Sequence, residues 1–188
     1  MLLPIIYFPD PLLKKKSAPI EAVTDEIREL AHSMFETMYQ EEGIGLAAVQ
    51  VGVLKRLMIA DVEWKSGGEP GSQYTFINPE IITEDKDKSV YKEGCLSFPD
   101  QFADVSRPKS VRVRYLDLQG KVHEEDFSGL LATCIQHEID HLNGIVFPDH
   151  VSMLRRDMMF RKAKKIKREI IEHIDDHHHV HGEHCNHL

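Results

Sequence analysis

The chain has 188 residues, 41% of them hydrophobic and 29% charged, with a formal net charge of −8. That length and balance suit one soluble globular domain with a sizeable core, and no run approaches the 18 apolar residues of a membrane span. Five acids and no Lys or Arg fall in residues 169–188, which leaves residues 1–168 at −3, so no DNA-binding surface is expected.

The start, Met1-Leu2-Leu3-Pro4-Ile5-Ile6-Tyr7, lacks a basic stretch and a small-residue cleavage site. It reads as a mature N-terminus, and a cytoplasmic location is the expectation. Cys95, Cys134 and Cys185 make no disulfide framework. In a reducing compartment, such cysteines are metal ligands or core residues.

Pro9-Asp10-Pro11 and Ser17-Ala18-Pro19 predict an extended, turn-rich N-terminal segment. A first helix is predicted from Thr24 as N-cap, with Ile27, Leu30, Ala31, Met34 and Met38 as its apolar stripe. His32 reads as a surface residue. The helix stops at Gly43-Ile44-Gly45-Leu46-Ala47-Ala48-Val49-Gln50. These small residues permit either a tightly packed turn or close approach of a ligand. The pattern matches neither of the phosphate-cradling glycine motifs.

Residues 56–62 read as a strand, 66–72 as a flexible loop, and 74–79 with 80–83 as a strand region broken by Pro79. Residues 84–88 read as a solvated turn. Cys95 then sits at the centre of a short segment between Gly94 and Pro99. Val111 to Asp117 alternates apolar and charged residues, and the turn Leu118-Gln119-Gly120-Lys121 predicts an antiparallel hairpin with 122–127.

Next stands Gln136-His137-Glu138-Ile139-Asp140-His141. On a helix, two histidines four apart share one face, and neutral imidazoles there can grip one divalent ion. Glu138 leaves the helix about 100° from His137, which suits a base beside the metal better than a ligand. Ser128 is the expected cap of this helix and Asn143-Gly144 its stop. Two histidines leave the sphere open. Cys134 lies seven residues from His141, about 10.5 Å along the axis, too far for one straight helix to bring both to one ion. Cys134 is therefore expected to pack in the core, and the third ligand to come from another element. Cys95 and a downstream carboxylate are both open at this point.

A long helix is predicted from about Val151 to Ile174, with the stripe Val151, Leu154, Met158, Ala163, Ile166, Ile170 and Ile174. Its eight Lys/Arg make either a solvated face or a docking face. Residues 175–188 form an acidic tail, expected to be disordered. Seven histidines from His173 onward give this end a metal-binding composition. The catalytic domain is expected to be residues 1–174. The expected fold class is α+β, with antiparallel strands packed around a central metal-binding helix, an N-terminal helix and a long C-terminal helix.

Three stretches together resemble the peptide deformylases: Gly43 to Gln50, Glu93-Gly94-Cys95-Leu96-Ser97, and Gln136 to Gly144. Their order and separation match that family over nearly the whole chain up to the tail. One departure is Val49, where the family usually has proline. The resemblance implies that Cys95, His137 and His141 ligate one divalent metal, with water in the fourth position. It implies Fe²⁺ in the cell, with Zn²⁺, Ni²⁺ or Co²⁺ as substitutes. Glu138 would be the general base. Gln50 and the Leu96 backbone N–H would stabilise the charge that builds on the formyl oxygen. Gly45 would pair with the substrate main chain, and Ile44, Leu130 and Cys134 would line the methionine pocket. The implied substrate is the N-formylmethionyl end of a nascent peptide, and the basic C-terminal helix implies a ribosome contact. Glu93 and Arg107 read either as an ion pair holding the cysteine segment or as two unrelated surface charges. The competing readings are a zinc metalloprotease, against which a Cys95 ligand argues, and a metal buffer, for which the histidine-rich tail argues.

Overall fold

The computed structural model describes residues 1–64 and 67–180, with side chains described through Ile170. A five-stranded antiparallel sheet runs in the order β1 (Gly45–Ala47), β2 (Leu57–Ala60), β3 (Tyr74–Glu84), β6 (Ser110–Leu116) and β7 (Val122–Ser128). A separate hairpin pairs β4 (Lys88–Cys95) with β5 (Phe98–Pro108). Three α-helices complete the described residues: α1 (Asp25–Gln40), α2 (Gly129–Leu142) and α3 (Met153–Val180). The α+β class and the placing of the helices are as the sequence predicts.

Strand β2 explains the layering. All four of its residues are buried, and successive side chains point to opposite faces. Leu57 and Ile59 join Ile27, Ala31, Met34 and Met38 of α1. Met58 and Ala60 join Ala132, Ile135, Ile139 and Leu142 of α2. The sheet thus lies between α1 and α2. The α2 residues facing it recur at helical spacing, which leaves the next face of α2 for the site. A third core forms beyond α2, where Phe98, Ala103 and Val105 of β5 meet Phe8, Phe147, Met159 and Ala163.

In the predicted hairpin, Val111, Val113 and Tyr115 of β6 point inward while Arg112 and Arg114 point out. Its register pairs Val111 with Phe127 and Tyr115 with His123. His32 is exposed, as expected. Thr24 and Ser128 occupy the N-cap positions, but neither hydroxyl makes a cap hydrogen bond.

Several elements differ from the sequence reading. Strand β3 runs through Pro79, absorbing it in a register shift between Ile77 and Glu80, with Asn78 at φ 51°. In α1, Phe35 is buried and Leu30 only partly so. The segment around Cys95 is the tip of the β4–β5 hairpin, a strand pair the sequence did not reveal. The stripe of α3 is rotated. Leu154 and Met158 are 74% and 61% exposed and Met159 faces the third core instead, while Ala163 of the predicted stripe is buried there as expected. The backbone of α3 continues six residues past Ile174, to Val180, where a disordered tail was expected. Lys65, Ser66 and residues 181–188, with Cys185 and the last three histidines, lie outside the described residues. Among the described residues, no helix is long and apolar enough to cross a membrane.

Candidate metal centre and active-site cleft

Two elements converge on one point. Helix α2 supplies His137 and His141, one turn apart, with ring centroids 5.0 Å from each other. The end of β4 supplies Cys95, where the hairpin turns after a register shift between Gly94 and Cys95. Within this group, one ligand atom from each of Cys95, His137 and His141 lies within 4.8 Å of the other two. Cys95 Sγ stands 3.2 Å from His141 Nε2. Cys134 is outside the group. Its Sγ donates to the Ile44 carbonyl at 3.5 Å, and burial pushes its thiol well above the usual range. The helical-rise argument against Cys134 as a ligand agrees with this geometry.

The surroundings fix the orientation and the charge preference of these groups. His137 Nδ1 meets Glu93 Oε2 at 2.8 Å, which directs Nε2 away from Glu93. Burial disfavours the charged form of both imidazoles and drives His141 well below its ordinary value. At His137, Cys95, Glu93 and Glu138 overcome burial and raise the pKa well above the ordinary value. A field that favours a proton there also favours a metal cation. The soft thiolate and two imidazoles suit a borderline divalent ion. Glu138 adds an unpartnered buried atom, Oε2, on the residue next to His137. The residues therefore fit one divalent metal.

Glu93 is held in turn. Arg107 grips it through Nε at 2.6 Å and Nη2 at 3.1 Å, and both side chains are 5% exposed. Burial raises the Glu93 pKa, but hydrogen bonds from His137 and Arg107 outweigh it and bring the carboxyl to about 2. The pair reading of Glu93 and Arg107 is the correct one. Arg107 Nη1 also reaches Asp140 Oδ2 at 2.8 Å, and His150 Nε2 meets that same oxygen at 2.7 Å. Asp140 and His150 were missed. Asp140 sits inside the histidine motif, but nothing local marks His150.

Gln50 comes from a 3-10 turn, Ala48–Val51, that follows β1. Its carboxamide oxygen accepts from Ala47 N at 2.8 Å, which turns the NH₂ toward Ser97 Oγ at 3.2 Å and Cys95 Sγ at 3.5 Å. Val49 is fully buried in that turn. Gly45 has a reason the sequence did not expose. A Cβ there would fall 2.5 Å from Cys134 Sγ and 2.7 Å from Glu138 Oε1. The backbone of β1 thus lies directly on Glu138.

Gln50, Cys95, His137 and Glu138 open onto a cleft of about 450 Å³. Ile44, Gly45, Leu96, Leu130, Cys134 and Glu138 all line it. Burial raises the Glu138 pKa to about 7, against the lowering influence of His137. A buried carboxylate near neutrality with an unpartnered oxygen can take up and return a proton.

Residues 2–157 match the family model described as polypeptide deformylase. The peptide deformylase of Rhodopseudomonas palustris is 52% identical over 170 residues, covering 90% of this chain and 97% of the relative. That of Afipia carboxidovorans is 54% identical over 161 residues, covering 86% and 93%. Among solved structures, the Legionella pneumophila peptide deformylase superposes with a TM-score of 0.83 at 40% identity, over 91% of this chain and 98% of its own. The Ehrlichia chaffeensis peptide deformylase in complex with actinonin gives a TM-score of 0.83 at 45% identity, over 89% and 98%. With the site geometry and these relatives in agreement, the chain belongs to the polypeptide deformylase family, whose members are hydrolases.

Proposed function

We propose that this cleft removes the N-formyl group from the initiator methionine of nascent peptides, with one divalent ion held by Cys95, His137 and His141. The observation that carries the reading is the meeting of those ligand atoms within 4.8 Å, beside the unpartnered Oε2 of Glu138. When bound, the ion supplies Lewis acidity, lowering the pKa of water and polarising the formyl oxygen. Fe²⁺ is the expected ion in the cell, with Zn²⁺, Ni²⁺ or Co²⁺ as substitutes. A cytoplasmic location goes with that substrate.

The remaining steps belong to the chain. Glu138 takes a proton from the attacking water. The water oxygen bonds to the formyl carbon, the C–N bond breaks, and Glu138 returns the proton to the leaving amine. Formate and a free N-terminus result. The Gln50 NH₂ and the Leu96 backbone N–H donate to the oxygen where negative charge builds. Burial of Gln50, and the Ala47 bond that fixes its carboxamide, make that donor preorganised. Strand β1 is the edge of its sheet, so a peptide can add beside Gly45. Ile44, Leu130 and Cys134 form the apolar wall for the methionine side chain.

The test is formate release from formyl-Met-Ala-Ser by protein loaded with metal under anaerobic conditions. Glu138→Ala should keep its ion and lose about 10²- to 10⁴-fold in rate. No formate from the metal-loaded wild type would sink the reading. Actinonin, present in the Ehrlichia structure, is expected to bind this chain as well. A ribosome contact is the second part of the proposal, supported by the exposed Lys164, Lys165 and Arg168 of α3. It predicts ribosome co-sedimentation that weakens steeply with salt.

A further inference from the structure

One hydroxyl in the cleft wall has no partner. Thr133 lies on α2 one turn after Leu130 and one turn before His137, and it lines the cleft. Its side chain is buried, 3% exposed, and Oγ1 makes no hydrogen bond. A helical threonine ordinarily relieves its hydroxyl by bonding the carbonyl four residues back, and Thr133 does not. Valine has the same shape without the unsatisfied group, so the free protein gains nothing from this oxygen.

The neighbours leave Thr133 as the polar group of this wall. Ile44 and Leu130 are apolar, and the Cys134 thiol is committed to the Ile44 carbonyl. Two other unpartnered groups line the cleft, Glu138 Oε2 and Gln101 Nε2. The first is assigned to the attacking water, and the second belongs to β5 of the hairpin, not to α2. A methionine side chain entering along this wall brings one heteroatom, its thioether sulfur, which is a weak acceptor.

We propose that Thr133 is a specificity residue whose hydroxyl donates to the thioether sulfur of the substrate's initiator methionine. The inference rests on the formyl-methionine reading given above. Hydrophobic fit alone does not separate methionine from norleucine, in which a methylene replaces the sulfur; a directed hydroxyl does.

The experiment compares kcat/KM for formyl-Met-Ala-Ser and formyl-norleucine-Ala-Ser, in wild type, Thr133→Val and Thr133→Ser, all loaded with the same metal. The wild type should prefer methionine by about three- to ten-fold, the range of one modest hydrogen bond. Thr133→Val should bring the ratio to one or below, and Thr133→Ser should keep the preference. Thr133→Val should also melt higher than wild type without substrate, because it removes an unsatisfied buried group. A wild-type ratio of one, or a ratio unchanged in Thr133→Val, overturns the inference while leaving the deformylase reading standing. No turnover of either substrate by the wild type sinks both.

Discussion

Two arginine–carboxylate systems on strands consecutive in the chain have nearly the same bond lengths and opposite consequences. On β5, Arg107 holds Glu93 at 2.6 and 3.1 Å with both partners 5% exposed. On β6, Arg112 and Arg114 hold Glu124 at 2.9 and 3.0 Å, with exposures of 40%, 51% and 35%. The exposed ladder is screened by water and salt, and it costs side-chain entropy to hold. The buried system cannot shed a partner without stranding a charge. It also ends on His137, so its geometry sets that of the imidazole proposed to hold the metal. Distance alone does not rank ion pairs; burial and what lies next in the chain do.

The comparison breaks most sharply at Arg107. Arg107→Met should lower stability by about 3–5 kcal/mol in chemical denaturation, because Glu93 is left charged and buried. Bound-metal affinity should fall about 10- to 100-fold, read by competition with a chelator. Equal losses for Arg107→Met and Arg112→Met would erase the distinction drawn here.

Acid titration tests the same pair by another route. The Glu93 carboxyl sits at about 2 in the folded chain against an ordinary 4.5. A depressed folded value contributes stability that is full above pH 4.5 and is lost as pH falls toward 2. Glu93→Gln should flatten that limb in metal-free protein. The wild-type limb should persist in 1 M salt, since buried pairs are weakly screened.

A neutral change asks whether close packing around the site is as strict as its charges. Gly45→Ala pushes a methyl against Cys134 Sγ and the Glu138 carboxylate. A loss of about 1–3 kcal/mol is expected, with a fall in kcat as Glu138 is displaced. Cys134→Ala in the same chain should recover part of the stability. The smallest effect belongs to the ladder. Arg112→Ala should cost less than about 1 kcal/mol, and nothing measurable in 1 M salt.

What was legible in the sequence follows local rules. The β6–β7 hairpin announced itself because Val111, Val113 and Tyr115 alternate with charges over a hydrophobic core. Strand β5 did not, although it alternates as strictly. Two of its inward residues, Gln101 and Arg107, are polar, and the outward Phe102 is apolar and 56% exposed. A pattern read as hydrophobicity is blind to such a strand. The α3 stripe misled for a related reason. Apolar residues occur on more than one of its faces, and contact with the core of Phe8 and Phe98 kept Ala163 of the stripe but took Met159 in place of Met158.

By itself, the sequence determined that His137 and His141 share a helical face, that Cys134 cannot join them on one ion, and that any third ligand would have to come from another element. Those conclusions need only helical rise and bond length. Only the tertiary structure decided that the hairpin brings Cys95 to that face. It also decided that Asp140 and His150 extend the hold on Glu93, and that Gly45 is small because Cys134 and Glu138 press on it. These are contacts between residues 10 to 93 positions apart in the chain, and no local periodicity encodes which of them will meet.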